Sequence, residues 1–255
     1  MALQLIDAIT DGTRRVLTRT GGILLVLLLA QQLLLVTSLN TLLAAELPPE
    51  AADVIGLTVP ISGTAAGAVL IGAFLFTTVY FVVLARALAR PLSQLSSFPT
   101  ELYTRRMGRA TLTMLVGGIA VFLAIMIGFV LFFLPGLFLA VCFLFVIFAV
   151  GVEDRGVLGA LKRSWSLSKG NRLRLAVIVI FSGISGSLVG AVPALFQLAG
   201  ASAFGDLVSV LLNSILFTFI YGITASAYLQ LSEGEGDLGG PNVTTATSSG
   251  TAPEV

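Results

Sequence analysis

The sequence has 255 residues but no histidine and only one cysteine, Cys142. Without histidine, the chain has no imidazole general base, no histidine metal ligand and no Ser-His-Asp triad. A single cysteine allows no intramolecular disulfide and no cysteine-based metal cluster. Ser164 and Ser166 have no neighbour in sequence that would activate a serine nucleophile. We therefore predict no catalytic residue, no metal site and no cofactor, and we do not expect an enzyme.

Charge is also scarce. Charged residues make up 11% of the chain and hydrophobic residues 56%, and the mean hydropathy is +1.03. Soluble domains have about 25% charged residues, so this composition excludes a soluble fold. Six long apolar runs divide the sequence, each near the length of about 20 residues that a membrane helix needs. They predict an all-α polytopic bundle of six transmembrane helices, with one or two interfacial amphipathic helices.

The predicted boundaries follow the apolar runs. The six spans cover about residues 21–45, 61–88, 110–134, 137–152, 173–199 and 207–231. Pro135-Gly136 is a strong turn signal and predicts a tight hairpin between the third and fourth spans. Residues 232–255 are rich in Gly, Ser, Thr and acidic residues, which predicts a disordered tail.

The basic residues occur in only three places along the chain. All fourteen lie before the first run, between the second and third, or between the fourth and fifth, within residues 14–19, 86–109 and 155–174. Basic loops stay cytoplasmic in membrane proteins. We therefore expect a multi-pass protein of the cell membrane with both termini in the cytoplasm. A cleaved signal peptide ending near Leu43-Ala44-Ala45 is the rival interpretation of the first run.

Two segments outside the spans have amphipathic helical spacing. Residues 1–20 place apolar side chains on one face and charges on the others, as interfacial helices do. Residues 153–171 form the second segment, with Asp154 as the predicted N-cap and with Gly170-Asn171 as the stop. Its apolar stripe would lie on the membrane surface, and it consists of Val157, Leu158, Leu161 and Trp165.

One stretch resembles a known family. After Pro135-Gly136 and an apolar span come Val152-Glu153-Asp154 and then the motif ALKRSWSLSKGN at 160–171. This pattern resembles the membrane domain of the glycerophosphoryl diester phosphodiesterase family and related uncharacterised six-span proteins of prokaryotes, especially halophilic archaea. The resemblance implies a membrane location and a six-span fold. Activity in that family belongs to a separate soluble barrel domain that uses histidines, so the resemblance implies no phosphodiesterase activity for this chain.

The candidate functional residues are basic or small. Cations on one face suit anionic headgroups of the bilayer or a membrane or cytoplasmic protein partner. The contact candidates are Arg105, Arg106, Arg109, Lys162, Arg163, Trp165, Lys169, Arg172 and Arg174. Small residues four apart allow close helix packing in lipid, and the candidates are Gly63, Gly67, Gly186 and Gly190. Aromatic residues lie in the spans rather than among the charges, so no nucleic acid is expected.

Three functions compete. The leading hypothesis is a non-catalytic membrane protein that organises lipid or protein partners. The alternative is a channel or carrier for a neutral or amphipathic solute, because no span interior carries a charge but amides occur at Gln31, Gln32, Asn40, Gln197 and Asn213. The third is a membrane enzyme with a metal held by Asp7, Asp11, Glu153 and Asp154.

Overall fold

A computed structural model describes residues 3–48 and 55–239, and these residues form α-helices joined by short connections. The helices are α1 Leu5–Val16, α2 Arg19–Glu46, α3 Gly63–Leu88, α4 Glu101–Thr104, α5 Met107–Leu131, α6 Phe133–Cys142, α7 Val146–Gly151, α8 Val157–Ser168, α9 Arg172–Gly190, α10 Val192–Leu198 and α11 Ser202–Gly239. No strand occurs in this described part of the chain.

Six helical segments of the described residues are long and apolar enough to cross a membrane. They are Arg19–Glu46, Gly63–Leu88, Met107–Leu131, Phe133–Gly151, Arg172–Leu198 and Ser202–Gly234. The shortest has 19 residues, which at about 1.5 Å per residue approaches the thickness of a bilayer core. The predicted fold class, an all-α six-span bundle, is confirmed.

The spans alternate in direction, so their ends meet in two groups. At one end, Arg15 of α1 donates to the carbonyl of Leu88 over 2.8 Å, and Tyr228 of α11 donates to Glu153 over 2.8 Å. All fourteen basic residues belong to span ends or to the segments outside the spans at this end, which we call the basic end. At the opposite end, Asp206 accepts hydrogen bonds from Asn40 over 2.7 Å and from the backbone of Leu57 over 2.9 Å.

The buried core lies towards the basic end. The last turns of α3 are enclosed on every side, with residues 82–88 all buried. Phe145 and Phe148 pack there against Tyr228, whose ring stacks on Phe148 at 5.0 Å. The outer faces of the spans keep large apolar side chains exposed, as contact with lipid requires. The connections at the basic end therefore lie next to the most closely packed part of the bundle.

The hairpin between the third and fourth spans lies elsewhere than the sequence suggested. The α5 helix ends at Leu131, Phe132 is extended, and Pro135 and Gly136 lie in the first turn of α6. Proline is tolerated there because the first four backbone N–H groups of a helix have no partner within it. A Cβ on Gly136 would come within 2.5 Å of the Phe129 ring. The predicted turn at Pro135-Gly136 is therefore wrong, and the pair serves close packing of α6 on α5.

Two further boundaries differ from the prediction. The fourth span is interrupted at residues 143–145, between α6 and α7. The last helix continues to Gly239, past the predicted start of the tail at residue 232, while residues 240–255 of that tail lie outside the described residues. The first predicted interfacial segment contains α1, which packs on α11. Its Ile6 is 80% exposed.

Candidate functional site

A buried arginine organises the basic end. Arg86, on the last turn of α3, is only 8% exposed. Its Nε donates to the carbonyl of Gly151 over 2.8 Å, and its Nη1 donates to the carbonyl of Arg105 over 2.7 Å. Its Nη2 donates to Asp154 over 3.0 Å. This one side chain thus joins α3, α7 and the segment before α5. The sequence alone does not distinguish Arg86, because one arginine at a span end resembles any other topology signal.

Asp154 has a different role from the predicted one. The α8 helix begins at Val157, with Gly156 at the N-cap position, so the predicted N-cap at Asp154 is wrong. Asp154 instead adopts a left-handed backbone conformation with φ of 51° and pairs with both Arg86 and Arg105. A buried guanidinium needs a counter-charge, and this backbone conformation accompanies the approach of Asp154 to Arg86.

Glu153 precedes Asp154 in the chain, and we call these two residues the acidic pair. It accepts hydrogen bonds from Arg163 over 2.9 Å and from Tyr228 over 2.8 Å, and it also pairs with Arg155. Burial alone would raise the pKa of Glu153. The hydrogen bonds that it accepts lower the pKa by more than burial raises it, so the pKa of its carboxyl lies below the usual range. The same balance of burial against the bonds from Arg105 and Arg86 lowers the pKa of Asp154. Both residues are anions at neutral pH. Glu153 links α8 to α11, and Asp154 holds the segment before α8 to α3.

The α8 helix presents a small, polar face to the bundle. Ser164 donates to the carbonyl of Cys142 over 2.8 Å and accepts from the backbone N–H of Phe145 over 3.1 Å. Ser168 donates to the carbonyl of Val141 over 3.2 Å. These serines satisfy backbone groups that the interruption of the fourth span leaves without helical partners. The buried face therefore contains serines, whereas the predicted apolar stripe leaves Leu158 74% exposed.

Trp165 and Arg172 lie together beside the fourth span. The Arg172 guanidinium lies 4.8 Å from the centroid of the Phe138 ring and 4.9 Å from that of the Trp165 ring. Its Nε is buried and makes no hydrogen bond within the described residues. Cation–π contact with two rings stabilises such a charge. The pair thus connects α8 and α9 to α6.

The predicted contact residues divide into two groups. Several cations have partners inside the chain: Arg105 pairs with Asp154, Arg163 pairs with Glu153, and Arg174 donates to the carbonyl of Leu3 over 2.6 Å. The second group is exposed, and its side chains form no ion pair or hydrogen bond within the described residues. These are Arg106, Arg109, Lys162 and Lys169, which we call the free cations.

The predicted packing glycines are also divided. Gly63 faces α2, and a Cβ on it would come within 2.7 Å of the Cβ of Ala45. A Cβ on Gly67 would be 3.9 Å from Leu42. Gly186 and Gly190 on α9 have no atom near the position of a Cβ among the described residues. A close approach of two helices occurs instead between α1 and α11, where Gly12 meets Gly222 and Ile223.

The span amides bond to neighbouring helices. Gln31 donates to the carbonyl of Ala73 over 2.7 Å, and Asn213 donates to Gln32 over 2.9 Å. Asn40 bonds to Asp206 at the opposite end. These four amides thus link α2 to α3 or to α11.

The acidic residues proposed for a metal do not form one cluster. Asp11 pairs with Arg15 over 2.8 Å and accepts a hydrogen bond from Ser226 over 2.9 Å. Glu153 and Asp154 belong to separate ion-pair sets. Within residues 3–48 and 55–239, no group of three or more His, Cys, Asp or Glu side chains is placed to hold a metal ion.

The six apolar helices and the basic end define this chain as a polytopic all-α membrane protein. The chain belongs to the family described as a domain of unknown function, DUF7847, whose model matches residues 3–231. That range includes the first five spans, most of the sixth, and both Glu153 and Asp154. No curated protein matches the chain, and no solved structure matches it. The resemblance to the membrane domain of the phosphodiesterase family therefore stays an expectation.

Proposed function

We propose that this chain is a non-catalytic membrane protein whose basic end binds anionic phospholipid headgroups. The observation that carries the proposal is the separation of the cations into paired and free groups. The chain uses its own carboxylates for Arg86, Arg105 and Arg163, whereas Arg106, Arg109, Lys162 and Lys169 remain exposed. A basic residue near an anionic membrane surface gains about 1 kcal/mol.

The surroundings of the free cations support contact with lipid. On α8, Lys162 lies between the exposed side chains of Leu158 and Trp165 along the helix. Tryptophan favours the boundary between acyl chains and headgroups. Apolar side chains beside a cation are the pattern of an interfacial helix. The hydrogen bonds of Ser164 and Ser168 orient this exposed face away from the bundle core.

The test removes charge from the free cations alone. Wild type and the variant Arg106→Gln/Arg109→Gln/Lys162→Gln/Lys169→Gln are reconstituted in nanodiscs of mixed phosphatidylglycerol and phosphatidylcholine. Native mass spectrometry of the protein released from the discs counts the retained lipids. We expect wild type to retain phosphatidylglycerol in excess of its share, and the variant to lose that excess.

A charge-keeping variant serves as the control. Arg106→Lys/Arg109→Lys/Lys162→Arg/Lys169→Arg preserves four cations and should keep the excess of anionic lipid. Equal lipid composition around wild type and the Gln variant would refute the proposal. Crosslinking in native membranes that finds a protein lost from the Gln variant, with lipid unchanged, would assign these cations to a protein partner.

One observation favours the alternative, a channel or carrier for a neutral or amphipathic solute. The fourth and fifth spans are each built from two helices, with interruptions at residues 143–145 and at Ala191. Interrupted spans are typical of transporters. The serines of α8 bond to backbone groups at the first interruption, which favours a structural role there. Solute flux into proteoliposomes that Gly190→Leu or Asn213→Leu abolishes would establish transport and displace our proposal.

A further inference from the structure

A cavity opens at the basic end, between the end of α3 and the segment that leads to α5. Its volume is about 330 Å³, which lies near the lower limit of the range of about 300–1,000 Å³ for small-molecule sites. Three arginines and one carboxylate are among the lining side chains: Arg86, Arg90, Arg105 and Glu101. Cations therefore outnumber anions on its wall, although Asp154 neutralises part of that charge from outside the cavity.

The innermost guanidinium is held rigidly. Arg86 is buried, and the carbonyls of Gly151 and Arg105 and the carboxylate of Asp154 fix its plane. A cation that is already oriented loses little conformational freedom when an anion binds. Arg86 thus supplies a fixed positive charge to the cavity without needing to move.

The other two arginines retain unused donors. Arg90 donates through Nη1 and Nη2 to the carbonyls of Ser97 and Gln94, and Arg105 donates through Nε and Nη2 to Asp154. Among the described residues, the Nε of Arg90 and the Nη1 of Arg105 donate no hydrogen bond. Guanidinium groups match the geometry of phosphate oxygens, and both of these arginines line the same cavity.

Glu101 narrows the class of ligand. Its exposed carboxylate shares the cavity with the arginines and would repel a phosphate dianion. A phosphate diester carries a single negative charge. An amine or hydroxyl group near that phosphate would donate a hydrogen bond to Glu101. The combination of cations and one carboxylate thus favours a diester that has a donor group beside it.

We infer that this cavity binds one phosphodiester whose headgroup carries an amine or hydroxyl. The inference rests on the proposed function in one respect, that the basic end faces lipid headgroups, and it adds one defined site that recognises the phosphate rather than the net charge of the lipid. Arg90 and Arg105 hold the phosphate, Arg86 supplies the fixed charge behind it, and Glu101 accepts from the amine or hydroxyl. The source is a membrane phospholipid or the same headgroup as a water-soluble diester.

Binding to the purified full chain in a neutral detergent tests the site. The probes are short-chain phosphatidylethanolamine, the water-soluble diester of the same headgroup and inorganic phosphate, and calorimetry measures their affinity. We expect Arg90→Gln to weaken diester binding about tenfold or more, as the loss of a charged hydrogen bond does. The matched control is Arg14→Gln, which removes an exposed cation of α1 outside the cavity lining. It should leave the affinity unchanged.

Glu101→Gln gives a second, independent measurement. This exposed residue is not needed to neutralise a buried charge, so the variant should fold. Its loss should strengthen binding of inorganic phosphate and weaken the preference for the amine-bearing diester. A merely structural residue would shift neither preference.

The binding results distinguish a membrane phospholipid from a water-soluble diester, and they distinguish the cavity site from the surface of free cations. Binding of both diesters supports the site and makes the free headgroup sufficient, whereas binding of the lipid alone supports the site and assigns it to the membrane. Absence of diester binding by wild type, or equal weakening by Arg90→Gln and Arg14→Gln, overturns the inference. The variant that lacks the four free cations should still bind the diester in detergent, so failure of the surface proposal and failure of the cavity are distinguishable.

Discussion

The buried arginines of the basic end stabilise the fold, because their donors bond to other parts of the same chain. Arg15 is 6% exposed and donates to the carbonyls of Leu88 and Arg90 over 2.8 and 2.6 Å. It therefore caps the end of α3, where helix carbonyls lack partners. Arg86 joins three elements in the same way. A count of arginines at this end consequently overstates the charge that is available to a ligand.

Replacing Asp154 should destabilise the bundle strongly. Asp154→Asn removes the counter-charge of the buried Arg86, and loss of one partner of a buried pair costs about 3–5 kcal/mol. Asparagine tolerates the left-handed backbone, so the effect isolates the charge. Thermal or denaturant unfolding in detergent measures it. Asp7→Asn is the control, because Asp7 is exposed and forms no ion pair within the described residues, and an equal loss in both variants would contradict the assignment.

Stability should fall in acid through the acidic pair. The pKa values of Glu153 and Asp154 are lowered in the folded chain, so their contribution is complete above the unfolded-state values of about 4. It disappears as pH falls through the lower folded-state values. Unfolding temperatures from pH 7 to pH 3 should drop for wild type and should vary less for Glu153→Gln/Asp154→Asn. Parallel curves for the two proteins would show that other carboxyls control acid stability.

Individual helices illustrate what can be predicted from sequence. The number of spans follows from local apolar runs, and six helical segments of that kind occur among the described residues. The interruption of the fourth span could not be predicted, because residues 143–145 are as apolar as their neighbours and the interruption depends on Ser164, far along the chain. The ion pairs of Asp154 cannot be predicted from sequence for the same reason, since Arg86 is close to Asp154 only in the folded bundle.

Ser164 of α8 should contribute more to the stability of the protein than Ser166 does. Ser164→Ala removes the hydroxyl that bonds to Cys142 and Phe145, and leaving buried backbone groups unsatisfied costs about 1–3 kcal/mol. Ser166→Ala changes an exposed serine of the same helix, where water can replace a bond that the hydroxyl makes, so it should cost less. Denaturant midpoints of the two variants make the comparison. A loss for Ser166→Ala as large as that for Ser164→Ala would remove the special role of Ser164.

The contact of α1 with α11 should depend on Gly12. A Cβ at residue 12 would lie 2.5 Å from backbone atoms of Ile223, so Gly12→Ala should push α1 away and lower the unfolding temperature. The control Gly22→Ala has open space at the Cβ position among the described residues, and it should be neutral or slightly stabilising because alanine favours helices. Unchanged stability of Gly12→Ala would mean that α1 packs more loosely than described.

The orientation of the bundle in the membrane can be tested by labelling its two ends. If the basic end is cytoplasmic, a cysteine at Thr58 near the opposite end should react with a membrane-impermeant maleimide in intact cells. A cysteine at Ser96 at the basic end should react only after permeabilisation. Both replacements are made in a Cys142→Ala background, since Cys142 is the single native cysteine. The reverse labelling pattern would invert the topology.

Gathering fourteen cations at one end also makes the molecule electrically asymmetric. A cell that keeps its interior negative attracts that end inwards, and each elementary charge moved across the membrane corresponds to about 2.3 kcal/mol per 100 mV. The carboxylates of Glu46 and Asp206 lie at the other end and are driven outwards by the same field. If the basic end is cytoplasmic, the membrane voltage thus acts on both poles of this protein in one direction and reinforces that orientation.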